Sequence, residues 1–219
     1  MKINANLRKY LDQRQPNARS SSFDYCFNYF QSYREGGDVS VMSSRENMEL
    51  SCLQLGFYLA SWGMLRASSV LLQKSVRHYA RVIEAIASMD PEVWEIDAHC
   101  YTERNIAILQ EVAGELRAAL LNKATDTLVT KIMLGVFGSV PAFDTYFRTG
   151  FGVGTLSPRA LRKIGLYYTQ KAQIIENGRV STIDFSTGQP TKRKYTRAKV
   201  IDMIFVIEGA TTRKRNLII

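Results

Sequence analysis

The sequence predicts an all-α fold, and three observations carry that reading. Apolar residues recur at helical spacing along most of the 219 residues, and Ser, Thr or Asp stands before those runs with Gly or Pro after them. Only residues 179–196 alternate in the manner of a strand.

Taken in order, NANLRKYLDQ (4–13) is a short amphipathic helix ended by Pro16. SSSFDYCFNYFQSYREGG (20–37) has serine caps before it and a Gly-Gly stop after it. Ser43 and Glu46 have the spacing of a capping box, in which each side chain bonds the other's backbone, ahead of ENMELSCLQLGFYLASWG (46–63). Residues 64–89 read as a continuation of that helix past Gly63. Asp90-Pro91 is an N-cap with proline in the first turn, because proline lacks the N–H that a first turn leaves unpaired. A longer helix follows over 102–123, with Ile106, Leu109, Ala113 and Leu116 on one face.

Thr125 or Asp126 then caps TLVTKIMLGVFG (127–138), and the chain turns through Pro141 into PAFDTYF. Ser157-Pro158 opens RALRKIGLYYTQKAQIIEN, which Gly178 closes. Residues 179–196 form a small hairpin or a loop, and Thr196 caps RAKVIDMIFVIEG, with a basic tail after it. The expected architecture is a single domain over 1–219 with two lobes, residues 50–150 as a core and residues 1–49 with 151–219 as the second lobe.

Composition narrows the function. Hydrophobic residues at 46% and charged residues at 22% describe a globular chain. No apolar run approaches the ~18 residues of a membrane span, and the N-terminal stretch has no signal-peptide centre, so no membrane association and a cytoplasmic, monomeric protein are expected. Cys26, Cys52 and Cys100 sit singly inside helical patterns, and neither His78 nor His99 has a second ligand at metal spacing. Neither a metal nor any other cofactor is expected. The net charge is +9, and residues 146–219 hold fourteen Arg and Lys against four acids, so residues 1–145 are close to neutral. A basic half beside a neutral half points to a polyanion, most simply nucleic acid. Lys192, Arg193 and Lys194, with the tail TTRKR, are the densest clusters.

The helix break itself is informative. Val136-Phe137-Gly138, Pro141 and Phe143-Asp144-Thr145-Tyr146 occur in the same order as a helix ending in a small residue, Phe and Gly, then a proline, then valine-aspartate-threonine-histidine. That order resembles the helix-hairpin-helix DNA glycosylases, whose aspartate lies at the active-site cleft. Leu55 to Ser75, with Ala60-Ser61 and the break at Trp62-Gly63, is similar to the family's cleft-forming helix. The resemblance spans residues 50–150.

It implies a two-lobed helical enzyme that flips a base out of double-stranded DNA, hydrolyses its N-glycosidic bond and leaves an abasic site. Asp144 would be the catalytic carboxylate, favoured in its ionised form by the helix N-terminus that follows. Tyr146 takes the histidine position beside it. Trp62 would fill the gap left by the flipped base, and Arg66 and Lys131 would touch phosphate. In the same picture, Tyr25 among the aromatics of SFDYCFNYF stacks the base while Asp24 or Asn28, four residues apart on one helical face, reads its edge.

Three departures stand out. Residues 120–127, LLNKATDT, contain no glycine where the family's phosphate-binding hairpin would lie at 121–128. Thr127 stands where lyase-competent members carry lysine, which implies a monofunctional enzyme. The Gly138–Asp144 spacing is one residue short. These departures, with the aromatic N-terminal segment, favour a modified base as target. Removal of modified cytosine in defence against phage is a role by analogy with bacterial glycosylases. The rival readings are a non-catalytic helical nucleic-acid-binding protein and a protein-partner module.

Overall fold

Helix α6 (Asp126–Val136) is the pivot of the fold, since every residue from Leu128 to Val136 is buried. A helix apolar on all sides has to be surrounded, and α2 (Ser21–Glu35), α3 (Met48–Ser61) and α5 (Glu103–Ala119) pack against it. A second group gathers on α9 (Arg197–Asn216), which receives α1 (Ile3–Leu11), α7 (Thr145–Phe151) and α8 (Pro158–Asn177). The remaining α4 (Ala80–Ser88) packs on α3 and α5. The computed structural model describes residues 2–66, 69–121 and 124–216, and a single buried apolar cluster runs from Leu7 to Ile207.

The all-α reading holds, with nine α-helices among the described residues and one two-stranded sheet. The alternating segment is a hairpin: β1 (Ser181–Ile183) pairs antiparallel with β2 (Pro190–Lys194), Ser181 opposite Lys194. Thr102, Thr125, Asp144 and Ser157 each accept a backbone N–H at a helix start, satisfying donors that have no partner within the helix. Cys26, Cys52 and Cys100 are free thiols. No described helix is long and apolar enough to cross a membrane.

Three local expectations are corrected. No helix continues past Gly63: that residue turns left-handed at φ +77, and after it two 3-10 turns, Val70–Gln73 and Val76–Tyr79, precede α4. Ser69 accepts the N–H of Leu71 instead of sitting inside a helix, as serine side chains do when they compete for backbone. Ser43 and Glu46 form no capping box, because Ser43 lies in a 3-10 turn and donates to the Ser40 carbonyl. The last helix runs on past Gly209 through much of the basic tail to Asn216.

Candidate functional site

The turn after α6 is fixed on each side by polar groups rather than by sheet or helix bonds. The Ala142 N–H donates to Asp202 Oδ1 at 3.1 Å, and the Phe143 N–H donates to Thr130 Oγ1 at 2.8 Å. The Thr127 hydroxyl donates to the Phe143 carbonyl at 3.0 Å. The next residue is Asp144, the N-cap of α7, whose Oδ1 accepts from the N–H groups of Tyr146 and Phe147 at 2.9 and 3.0 Å. Its Oδ2 lies 3.8 Å from Lys131 Nζ.

Lys131 belongs to α6 and is almost wholly buried, with its ammonium donating to the Trp62 carbonyl at 2.6 Å. Burial lowers the pKa of Lys131 from the ordinary lysine value, while Asp144 and Asp202 act against that fall. A second buried cation lies deeper: Lys199 donates to Tyr10 Oη and to Asp202 Oδ2, each at 3.1 Å. Burial works against its charge, yet the Tyr10 oxygen and the Asp202 carboxylate hold its pKa above the usual range. Its ammonium also lies over the rings of Tyr10, Phe23 and Trp62.

Asp144, Lys131, Thr127 and Tyr10 border one open cleft of about 480 Å³. Asp144, Tyr146, Trp62, Arg66 and Lys131, five residues singled out from the sequence, all line it. So do Lys9, Tyr10, Gln13 and Arg19 from the N-terminal segment and Arg213 and Lys214 from the end of α9. Among the described residues Asp144 is the one acid in that lining, which also holds six Lys and Arg side chains. Chemically, the cleft offers a carboxylate with one oxygen tied to backbone N–H groups, a neighbouring ammonium, aromatic surface and a cationic mouth.

No protein-family model, no curated protein and no solved structure matches the chain. The functional reading therefore rests on the geometry of the site and on the sequence resemblance.

The other sequence-selected residues lie elsewhere. Asp24 is fully buried, accepts from Arg14 Nη2 at 2.8 Å and lies 3.4 Å from the Ile183 N–H. Asn28 donates to the Ile183 carbonyl and accepts from Thr182 and Arg193. Tyr25 donates to the Pro16 carbonyl and stacks edge-on with Phe185. All three seat the β-hairpin on α2, and none lines the cleft, so they are not available there to read a base. Arg193 is held by Glu35 through two bonds, and Lys192 and Lys194 are exposed on β2. Of residues 121–128, where the family hairpin would lie, residues 122–123 fall outside the described residues. Thr127 lines the cleft there.

Sequence reasoning passed over Lys9, Tyr10, Gln13 and Arg19. Lys9 and Gln13 stand four apart on a helical face, a weak signal that any solvated helix shares.

Among the described residues no group of His, Cys, Asp and Glu has the geometry to hold a metal ion.

Proposed function

We propose that the protein is a monofunctional DNA glycosylase that takes a modified base out of the helix and hydrolyses its N-glycosidic bond. The observation that carries this reading is Asp144, the one acid of a cationic, aromatic cleft, set on a helix N-terminus immediately after a pinned turn. The order of helix, Phe-Gly stop, proline and aspartate, by which the sequence resembles the helix-hairpin-helix glycosylases, supports the same reading.

Cleavage of a C1′–N bond builds positive charge on the sugar, and a fixed carboxylate lowers the energy of that charge. The same group orients a water whose oxygen attaches to C1′. The proton the water loses passes through the carboxylate toward the departing base. Lys131 sits beside Asp144, 3.8 Å from its Oδ2, and, through the Trp62 carbonyl, ties α6 to the end of α3. Tyr146, exposed at the cleft, presents the aromatic surface on which an extruded base would stack, offsetting the few kcal/mol of unstacking, and Trp62 would fill the gap the base leaves.

The test is an assay on duplexes bearing uracil, alkylated bases, or hydroxymethylated and glucosylated cytosine, read as alkali-labile abasic sites. One substrate is expected to be cleaved. Asp144→Asn, whose amide oxygen still caps α7, is expected to lose ~10²–10⁴-fold in rate while keeping its fold and its DNA affinity. Salt-sensitive binding without abasic product on any substrate would replace the enzyme with a nucleic-acid-binding protein. Full activity in Asp144→Asn would remove the carboxylate from the mechanism.

A further inference from the structure

We propose that Lys9, Arg19, Arg66, Arg213 and Lys214 form a side-chain grip for the phosphodiester backbone of DNA, closing around Asp144 from separate segments of the chain. The proposal deepens the glycosylase reading and rests on the same cleft.

All five side chains are exposed and line the cleft mouth. They come from α1, the loop before α2, the turn after α3, and the last turns of α9. None takes part in an ion pair among the described residues, whereas Arg14, Arg34, Arg104, Arg117, Arg162, Arg179, Arg193 and Arg197 all do. Other exposed cations, among them Lys74, Lys171, Lys192 and Lys194, are also outside those ion pairs, but they are scattered over the surface, whereas these five converge on one cleft. Like charges converging on a low-dielectric cleft repel, and a bound polyanion relieves that cost.

Two of the guanidinium groups also lie over aromatic rings. The Arg19 group lies 5.0 Å from the centre of the Trp62 ring, and the Arg213 group lies 5.8 Å from that of Tyr146. Stacking costs a guanidinium little of its hydrogen-bonding capacity, because its donors point outward in the ring plane toward phosphate oxygens. A lone phosphate would engage one or two of these groups. Five of them on several sides of an acid suit a strand with phosphates before and after the reacting nucleotide.

The experiment measures the affinity of the full chain for a fluorescent duplex by anisotropy across 50–200 mM salt. It uses an unmodified duplex and one with a tetrahydrofuran abasic analogue, so that no target base is needed. If all five cations contact phosphate, the slope of log affinity against log salt is about −4.5. The triple variant Arg66→Gln/Arg213→Gln/Lys214→Gln is expected to fall to about −1.8 and to bind at least tenfold more weakly at 100 mM. Lys74→Gln/Lys171→Gln, which removes two exposed cations outside the cleft, is expected to keep the wild-type slope. Circular dichroism checks that each variant is folded.

A triple variant whose slope stays within one unit of wild type overturns the grip, as does loss of the slope in Lys192→Gln/Lys194→Gln instead. Equal competition by inorganic phosphate and by oligonucleotide would also overturn it, since the site would then be an anion pocket. The two readings fail separately: a lost slope without abasic product on any substrate keeps the grip and removes the glycosylase, and turnover with an unchanged slope does the reverse.

Discussion

Replacing Gly209 by alanine separates the packing of the site from its chemistry. Gly209 lies inside α9 where α7 crosses it, and a Cβ there would fall on the Tyr146 carbonyl oxygen, 2.7 Å from its carbon and 3.0 Å from Tyr146 Cα. The opposing Gly150 is equally confined, with a Cβ position 2.8 Å from Gly209 N and 3.2 Å from the carbonyl carbon of Phe205. All of these neighbours are backbone, so no side chain can swing aside. Moving the Tyr146 oxygen from 1.9 Å out to ordinary contact at ~3.4 Å requires α7 and α9 to separate by about 1.5 Å. Overpacking of this kind costs ~1–3 kcal/mol, and with backbone on each side the upper end applies. For a domain of this size about 3 kcal/mol lowers Tm by about 6–12 °C. Because α7 begins at Asp144, the same displacement shifts the carboxylate, and misplacement by about 1 Å costs on the order of 10²-fold in rate. Thermal unfolding and the abasic-site assay measure the two losses. Gly114→Ala is the control, since nothing lies within 4 Å of its Cβ position, and alanine inside a helix is expected to stabilise by up to ~1 kcal/mol. Gly209→Ala with an unchanged Tm would refute the close-approach reasoning.

Further outcomes follow from the buried polar groups. Arg14→Met leaves Asp24 fully buried without its cation and is expected to cost about 3 kcal/mol at neutral pH. Burial already raises the Asp24 pKa, with Arg14 acting against it, so the native state holds that proton more tightly than the unfolded chain. Stability from this group is therefore present at low pH and lost as pH rises through the raised pKa. The Tm deficit of Arg14→Met should narrow as pH falls from 8 to 5 and largely disappear in Arg14→Met/Asp24→Asn, and a pH-independent deficit would contradict the assignment. Thr130→Val removes the acceptor of the buried Phe143 N–H, and denaturant unfolding should show a loss of ~1–3 kcal/mol. Lys131 Nζ is engaged by the Trp62 carbonyl and Asp144, so borohydride added during turnover should trap no covalent protein–DNA adduct. An adduct that disappears in Lys131→Met would instead assign the protein a lyase activity through that lysine.

What was legible in the sequence was local. The stop at Phe137-Gly138, the turn through Pro141 and the cap at Asp144 are written in residues whose preferences act over three or four positions, and the structure has all three. The cleft walls were not legible, because Lys9 and Tyr10 join Asp144 in the cleft lining only through the docking of α1 on α9, fixed in part by Asn6 donating to Glu208 Oε2 at 2.7 Å. Asp24 and Asn28 show the reverse difficulty. Two polar residues four apart on an aromatic helix look the same whether they await a ligand or a hairpin more than 150 residues later. Gly209 reads as a helix stop in isolation, and its actual use depends on the Tyr146 backbone above it.

The position of the acid just past a helix break has a physical reason. A carboxylate on a free loop would lose ~1–2 kcal/mol of backbone entropy per residue each time it was ordered for reaction. Here that ordering belongs to folding: Asp202 holds Ala142, Thr130 and Thr127 hold Phe143, and the first turn of α7 holds Asp144 Oδ1. Thr127, Thr130 and Lys131 all belong to α6, the most deeply buried helix, so the groups around the acid are anchored in the rigid centre of the fold. Asp202 in turn is paired with Lys199 on α9, the helix that carries Arg213 and Lys214 to the cleft mouth. The turn that fixes the acid and two of the five cations at the mouth are thus held by the same helix, α9. A change in how α9 packs should therefore reach both together.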